Sequence, residues 1–257
     1  MIEVSDLRKE FSLSRQQRKE SGTTEHKAVA VDGISFRCEP GRVFSLLGPN
    51  GAGKTTTLRM ISTIFKPTSG SIRIAGIDAV ADPTGARRKI GFLTGSTGLY
   101  ARLTPNEVIR YFADLYSVPR EEFEARKEQL YTLLDMHDFQ NKRVGKLSTG
   151  MKQKVSICRT MIHDPEVVVF DEPTSGLDVI TAENIIQLIR NCRVEGKTVI
   201  FSSHIMSEVD LLCDDLAIVH KGKLLFNGTM TDFKTGMQAE NLTSEFIRIV
   251  NESNAKS

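Results

Sequence analysis

A chain of 257 residues, 40% apolar and 26% charged, has enough material for one large α/β domain or two smaller ones. A net charge of +2, with acids and bases interspersed, gives no electrostatic case for a nucleic-acid partner. The longest apolar runs, residues 167–170 and 199–201, are too short to span a bilayer, and residues 1–6 hold neither a basic start nor an apolar signal core. A cytosolic protein is expected. Cys38, Cys158, Cys192 and Cys213 lack paired metal-ligand spacing and read as reduced apolar fillers.

Residues 12–27 are polar and charged around Gly22 and predict an extended, solvated loop between two strands. Residues 43–47 form a short apolar run that ends in glycine-rich sequence. Helical spacing of Leu58, Ile61 and Phe65 follows in residues 56–64, and residues 71–75 and 90–93 read as strands. Thr104-Pro105-Asn106-Glu107 is a capping box with proline at the first helical position. Val108, Ile109, Phe112, Leu115 and Tyr116 then share one helical face. Residues 120–136 continue in helical style, so 104–163 reads as a helical insertion in an α/β core. Residues 166–171 are almost continuously apolar, as suits a strand of a parallel sheet buried on both faces. A helix over 182–192, a strand over 197–203 and a hairpin about Lys221-Gly222, pairing 216–219 with 223–226, complete the core. Residues 240–257 predict an amphipathic helix and a polar tail.

Gly48-Pro49-Asn50-Gly51-Ala52-Gly53-Lys54-Thr55 matches the phosphate-loop pattern between a strand and a helix. Glycines let successive N–H groups converge on phosphate oxygens, and the helix adds the positive end of its dipole. Lys54 is expected at the β- and γ-phosphates of a nucleotide and Thr55 at Mg²⁺, with Thr56 in the same first turn. By itself the motif leaves GTPases, kinases and motor ATPases open.

A buried strand delivers Asp171 to the carboxyl edge of the sheet, where it would hold the Mg²⁺ shell. Glu172, one residue on, would polarise the attacking water. His204 follows the strand over 197–203 and reaches the same edge, within range of the γ-phosphate or the water.

Leu147-Ser148-Thr149-Gly150-Met151-Lys152-Gln153 resembles the signature of the ABC ATPases, with Leu147, Ser148 and Gly150 kept and Thr149 and Met151 at the variable places. Ser148 is also a good N-cap, aiming free N–H groups at an anion. The resemblance runs from about residue 2 to 226. It implies a P-loop NTPase fold: a RecA-like parallel sheet core with an antiparallel β subdomain and a helical signature subdomain. The cassette would span about 2–232, with its insertion over about 100–163, leaving 233–257 as a C-terminal helix and polar tail.

The resemblance further implies ATP and Mg²⁺ as cofactors and a head-to-tail pair of subunits sandwiching two ATP molecules. In that pair Ser148 and Gly150 of one copy face the γ-phosphate held by the other. Residues 173–178 match the family's linking segment, with Asp178 at the junction, and His204 matches its switch histidine. Phe11 falls where the family stacks an aromatic ring on adenine. One departure is Gly95, in the place of the family's usual Mg²⁺-contacting glutamine.

Residues 92–100 and 151–155 resemble the ATPase subunits of two-component, Nat-type bacterial sodium-extrusion exporters. This implies a separate multi-spanning permease and a position at the cytoplasmic face of the membrane. The alternatives are a soluble ABC ATPase acting on nucleic acid or the ribosome, disfavoured by the single cassette, and an exporter of a drug or lipid-like cargo.

Overall fold

In the computed structural model, residues 1–94 and 98–255 are described; Gly95 lies outside them. The chain folds around two sheets. One is antiparallel, built from β1 (Ile2–Ser12), β2 (Lys27–Cys38), β4 (Ser69–Ile74) and β5 (Ile77–Asp78) in the order β2-β1-β4-β5. The other contains β3 (Val43–Leu47), β6 (Ile90–Thr94), β7 (Val167–Asp171), β8 (Thr198–Ser203), β9 (Asp215–His220) and β10 (Lys223–Thr229). Its order is β10-β9-β3-β8-β7-β6, parallel except where β10 pairs with β9 as the hairpin read from Lys221-Gly222.

Every residue of β3, β7 and β8 is buried. Alternation explains how an unbroken apolar run serves two cores. Val167 and Val169 join the core shared with the antiparallel sheet, whereas Val168 and Phe170 join the core under the helices. The helices are α2 (Lys54–Ile61), α3 (Pro83–Lys89), α4 (Pro105–Leu115), α5 (Arg120–Leu133), α6 (Thr149–Met161), α7 (Val179–Val194), α8 (Met206–Leu212), α9 (Met230–Thr235) and α10 (Leu242–Ala255). The insertion between β6 and β7 is helical, and α4 begins at the anticipated box: Thr104 Oγ1 accepts from Glu107 N, and Glu107 Oε2 accepts from Thr104 N at 2.7 Å. Helix α10 lays Leu242, Phe246 and Ile249 on the larger core. The four cysteines are buried free thiols.

The expectation of an extended loop over 12–27 is corrected. Residues Arg15–Ser21 form a helix, α1, between β1 and β2. Ser14 caps it by accepting from Gln17 N at 3.2 Å, and the Gln17 side chain returns to Ser14 N at 2.9 Å. This reciprocal cap stabilises the helix without an apolar face, which is why hydrophobic periodicity does not reveal it.

Behind α6, His163 stacks on Tyr116 with ring centroids 3.8 Å apart. Its Nε2–H donates to the Ile90 carbonyl at 3.2 Å, while Nδ1 is buried with no hydrogen-bond partner. Desolvation pushes the imidazole pKa down to about 4 from its ordinary 6.5, opposed by the hydrogen bond to Ile90. The folded protein therefore holds this ring neutral while the unfolded chain protonates it, so stability falls as pH drops from 6.5 toward 4. His163→Phe keeps the stacking but removes the proton site. Urea unfolding at pH 7 and pH 4.5 should show the variant losing about 2 kcal/mol less than the parent over that interval. An unchanged difference would refute a neutral buried imidazole.

Candidate nucleotide-binding site

Strand order brings the chemistry together. β8 lies between β3 and β7, with Leu47 opposite Ser203 and Asp171 opposite Ser202. Three carboxyl ends therefore meet at one edge, the crevice where open α/β sheets bind ligands. The loop after β3 folds tightly against its surroundings. A Cβ on Gly48 would stand 2.3 Å from the Val219 carbonyl oxygen. Gly53 has φ +109°, and a Cβ there would stand 2.5 Å from the Ala30 carbonyl oxygen. The β9–β10 turn braces the loop through Gly222 N, which donates to the Ala52 carbonyl at 2.9 Å.

These contacts shape a cleft of about 150 Å³ lined by Ala30, residues 50–56 and Glu172. At its floor Lys54 is only 4% exposed. Its Nζ donates to the Gly48 carbonyl at 2.6 Å and the Pro49 carbonyl at 3.1 Å, and lies 3.7 Å from Glu172 Oε1. Burial lowers the Lys54 pKa, and the charges of Glu172 and Asp171 oppose that shift. A buried ammonium at the base of a glycine-rich loop beside an open cleft is a candidate anion site.

Thr55 Oγ1 donates to Asp171 Oδ1 at 3.0 Å, and Ser202 Oγ donates to the same oxygen at 2.8 Å. Ser202 Oγ also accepts from Glu172 N at 3.0 Å. Glu172 has φ +49°, a left-handed conformation that is strained for a non-glycine residue. His204, exposed at the end of β8, puts Nδ1 3.3 Å from Glu172 Oε1. The Thr55 hydroxyl and the Asp171 carboxylate are hard oxygen donors held together beside the cleft. That set fits Mg²⁺, which takes one or two protein oxygens and completes its shell with water and phosphate. Among the described residues no cluster of three His, Cys, Asp or Glu forms a self-sufficient metal site.

A second cluster forms elsewhere. Ser148 caps α6, accepting from Met151 N at 3.2 Å, and is exposed. Asp178 caps α7, accepting from Thr181 N at 3.0 Å and from Thr181 Oγ1 at 2.8 Å. Those bonds lower its pKa, the backbone N–H first. A Cβ on Gly150 would meet both Thr181 Oγ1 and Asp178 Oδ2 at 3.3–3.4 Å, so the two caps touch. Neither Ser148, Gly150 nor Asp178 lines the phosphate-loop cleft.

The family model described as "ABC transporter" matches residues 31–175. The chain belongs to the ABC transporter ATP-binding family.

It is 43% identical over 248 residues to the ABC transporter ATP-binding protein NatA of Bacillus subtilis (strain 168), covering 96% of this chain and 97% of that one. The linearmycin resistance ATP-binding protein LnrL of the same organism is 32% identical, covering 88% and 73%. The bacitracin transport ATP-binding protein BcrA of Bacillus licheniformis is 38% identical, covering 76% and 63%. Among solved structures, an ATP-binding subunit of an ABC transporter superposes with a TM-score of 0.84 at 26% identity, covering 97% of this chain and 99% of that one. A dimeric ATP-binding cassette in a post-hydrolysis state, bound to ADP and Pi, gives 0.78 at 26% identity, covering 90% and 99%.

This ABC cassette is an ATPase, with the P-loop NTPase fold in its parallel sheet and a helical insertion carrying the signature. The structure unites Lys54, Thr55, Asp171, Glu172 and His204 at one edge and keeps Ser148, Gly150 and Asp178 as a separate group. Phe11 does not line the cleft. It packs edge-on to Phe65 with centroids 5.5 Å apart, and Lys9 Nζ lies over both rings. It pairs with Ala28, two residues from the cleft-lining Ala30. Sequence reasoning missed Ser202, which ties the two carboxylate residues together; the Ser202-Ser203 pair ending an apolar strand just before His204 was the available signal.

Gly48→Ala should lower stability by about 1–3 kcal/mol and abolish nucleotide binding, because the collision is with backbone. Gly51→Ala has open space but a φ of +79° and should cost less. Urea unfolding and labelled-ATP titration of both variants check this order; equal effects would contradict the packing.

Proposed function

We propose that this ATPase subunit powers export through a separate membrane permease, closing head-to-tail with a second copy over two ATP molecules. The observation that carries the reading is the division of anion-directed groups within one chain. Lys54 and its loop sit in the cleft, while Ser148 presents a helix N-terminus to solvent outside it. Beside Asp178, Val179 and Ile180 are 86% and 75% exposed. Apolar side chains left bare at that position suit burial by a second subunit. The dimeric neighbour bound to ADP and Pi supports the same assembly.

In the closed pair, Lys54 and the loop N–H groups of one copy bind the β- and γ-phosphates. Ser148 and the α6 N-terminus of the other copy bind the γ-phosphate from the far side. Phe11 is the candidate for stacking on adenine. Thr55 and Asp171 would hold Mg²⁺, which when bound would neutralise phosphate charge. Glu172 orients a water and accepts its proton as the water oxygen bonds to the γ-phosphorus. The bond to the bridging oxygen breaks, and ADP leaves with that oxygen. His204, against Glu172, steadies the carboxylate and the γ-phosphate. ATP favours the closed pair because it contacts both copies, and loss of the γ-phosphate reopens it.

No helix among the described residues is long and apolar enough to cross a membrane. In this reading the transport path belongs to the permease, and this subunit docks on it at the cytoplasmic face of the membrane. Sodium is the cargo implied by the likeness to Nat-type subunits. The linearmycin- and bacitracin-related relatives supply the second reading, a drug-like cargo.

Glu172→Gln should lower ATP turnover at least about 100-fold while preserving ATP binding, so that an ATP-bound dimer accumulates in sedimentation. A strictly monomeric variant at saturating ATP would contradict the sandwich. For cargo, inverted vesicles carrying this subunit with its permease should accumulate sodium on ATP addition. ATP-driven uptake of a drug without sodium would replace the first cargo with the second.

A further inference from the structure

Helix α8 begins two residues after His204 and carries Glu208, a carboxylate that makes no ion pair among the described residues. Its oxygens instead receive two hydroxyls from different segments. Thr174 Oγ1 donates to Oε1 at 2.5 Å, and Ser203 Oγ donates to Oε2 at 2.9 Å. Both donors are buried, Thr174 at 7% and Ser203 at 2% exposure, while Glu208 itself is half-buried. Hydrogen bonds to a charged acceptor are about twice as strong as neutral ones.

The positions of the two donors matter. Thr174 lies two residues after Glu172, in a turn closed by Ser175 N donating to the Glu172 carbonyl at 3.2 Å and by Leu177 N donating to the Thr174 carbonyl at 3.2 Å. That turn runs directly to Asp178. Ser203 immediately precedes His204, and its Oγ also accepts from Ile205 N at 2.9 Å, so it fixes the backbone on both sides of the histidine. Ser202 already holds Glu172 N from the other flank. Glu208 thus joins the segment leaving Glu172 to the segment bearing His204, whose side chains must meet at 3.3 Å.

We propose that Glu208 is a positioning residue for ATP hydrolysis: its carboxylate fastens the Thr174 turn to the Ser203 strand end and so sets the Glu172–His204 geometry. This rests on the reading of Glu172 and His204 as the hydrolytic pair. Lys54 and Thr55 stand outside the link, so nucleotide grip does not depend on it.

The test compares the parent with Glu208→Ala, Glu208→Gln, Thr174→Val and the double variant Glu208→Ala/Thr174→Val, with Glu172→Gln as reference. ATP Kd, kcat, KM and thermal midpoint are measured for each. Glu208→Ala should lower kcat about tenfold or more while ATP Kd stays within about twofold, since small displacements of reacting groups cost up to about a hundredfold. Thr174→Val, nearly isosteric, should lower kcat in the same direction. The double variant should be no worse than Glu208→Ala, because both substitutions cut one connection. Glu208→Gln, which still offers one acceptor oxygen, should fall between.

Three results would each overturn the proposal: a Glu208→Ala kcat within about twofold of the parent, kcat and ATP affinity falling together with the thermal midpoint, or full additivity in the double variant. Should Glu208→Ala fail to fold, Thr174→Val decides alone by the same split between kcat and Kd. Inactive Glu172→Gln with fully active Glu208→Ala defeats this inference only. Fully active Glu172→Gln defeats the hydrolytic reading beneath it.

Discussion

A buried ammonium is the constraint around which the site is arranged. Lys54 is taken almost wholly out of water at the start of α2, and its partners are two carbonyl oxygens of its own loop. Carbonyl dipoles compensate a desolvated charge only in part, and the Glu172 carboxylate stands 3.7 Å away rather than in contact. The cation therefore keeps a standing affinity for a better anion in the adjoining cleft. That preference needs a rigid loop, and the neighbouring backbone supplies rigidity: the Val219 carbonyl closes on Gly48, the Ala30 carbonyl on Gly53, and Gly222 ties back to Ala52. The antiparallel sheet and the β9–β10 hairpin thus serve the phosphate loop as walls, though neither contributes a charged group to the cleft.

The same constraint orders the carboxylates. With β8 between β3 and β7, Ser202 becomes the shared neighbour of Asp171 and of the Glu172 backbone. One hydroxyl satisfies an acceptor on Asp171 and a donor on Glu172, separating two adjacent acids by function: Asp171 turns to Thr55, and Glu172, on a left-handed backbone, turns to Lys54 and His204. Strain at Glu172 is tolerable because the residues around it are fixed independently by Ser202 and by the Thr174 turn.

What was legible from sequence divides along contact order. The phosphate loop was readable because its working atoms come from consecutive residues, and the box at Thr104 and the cap at Ser148 because capping acts over three positions. Strands β3 and β7 announced themselves as apolar runs. The roles of Ser202 and Glu208 were harder to read, since Asp171 and Thr174, the partners that define them, lie 31 and 34 residues away and become neighbours only through the fold. Helix α1 illustrates a different failure: Ser14 and Gln17 form a reciprocal cap, but a helix with no apolar stripe looks like solvated loop. Phe11 marks the limit of residue type as evidence, because its ring packs on Phe65 and does not line the phosphate-loop cleft.

The signature is tied to the chain that carries the carboxylates. Gly150 lies against the Asp178–Thr181 cap so closely that α6 and α7 begin as one unit. Gln153 Nε2, one turn into α6, reaches the Pro173 carbonyl at 3.3 Å, tying that unit to the chain just after Glu172. A γ-phosphate engaged by the α6 N-terminus of a second copy would therefore press on the α6–α7 unit of that copy, whose connection runs through residues 173–178 to its own Glu172. In the proposed pair, each copy's signature would be joined through Gln153 and Pro173 to its own carboxylate edge while its phosphate target would sit on the other copy. Coupling between the two ATP sites would then need no long-range wire, because the short segment 173–178 would touch both, anchored at its start by buried Pro173 and Thr174.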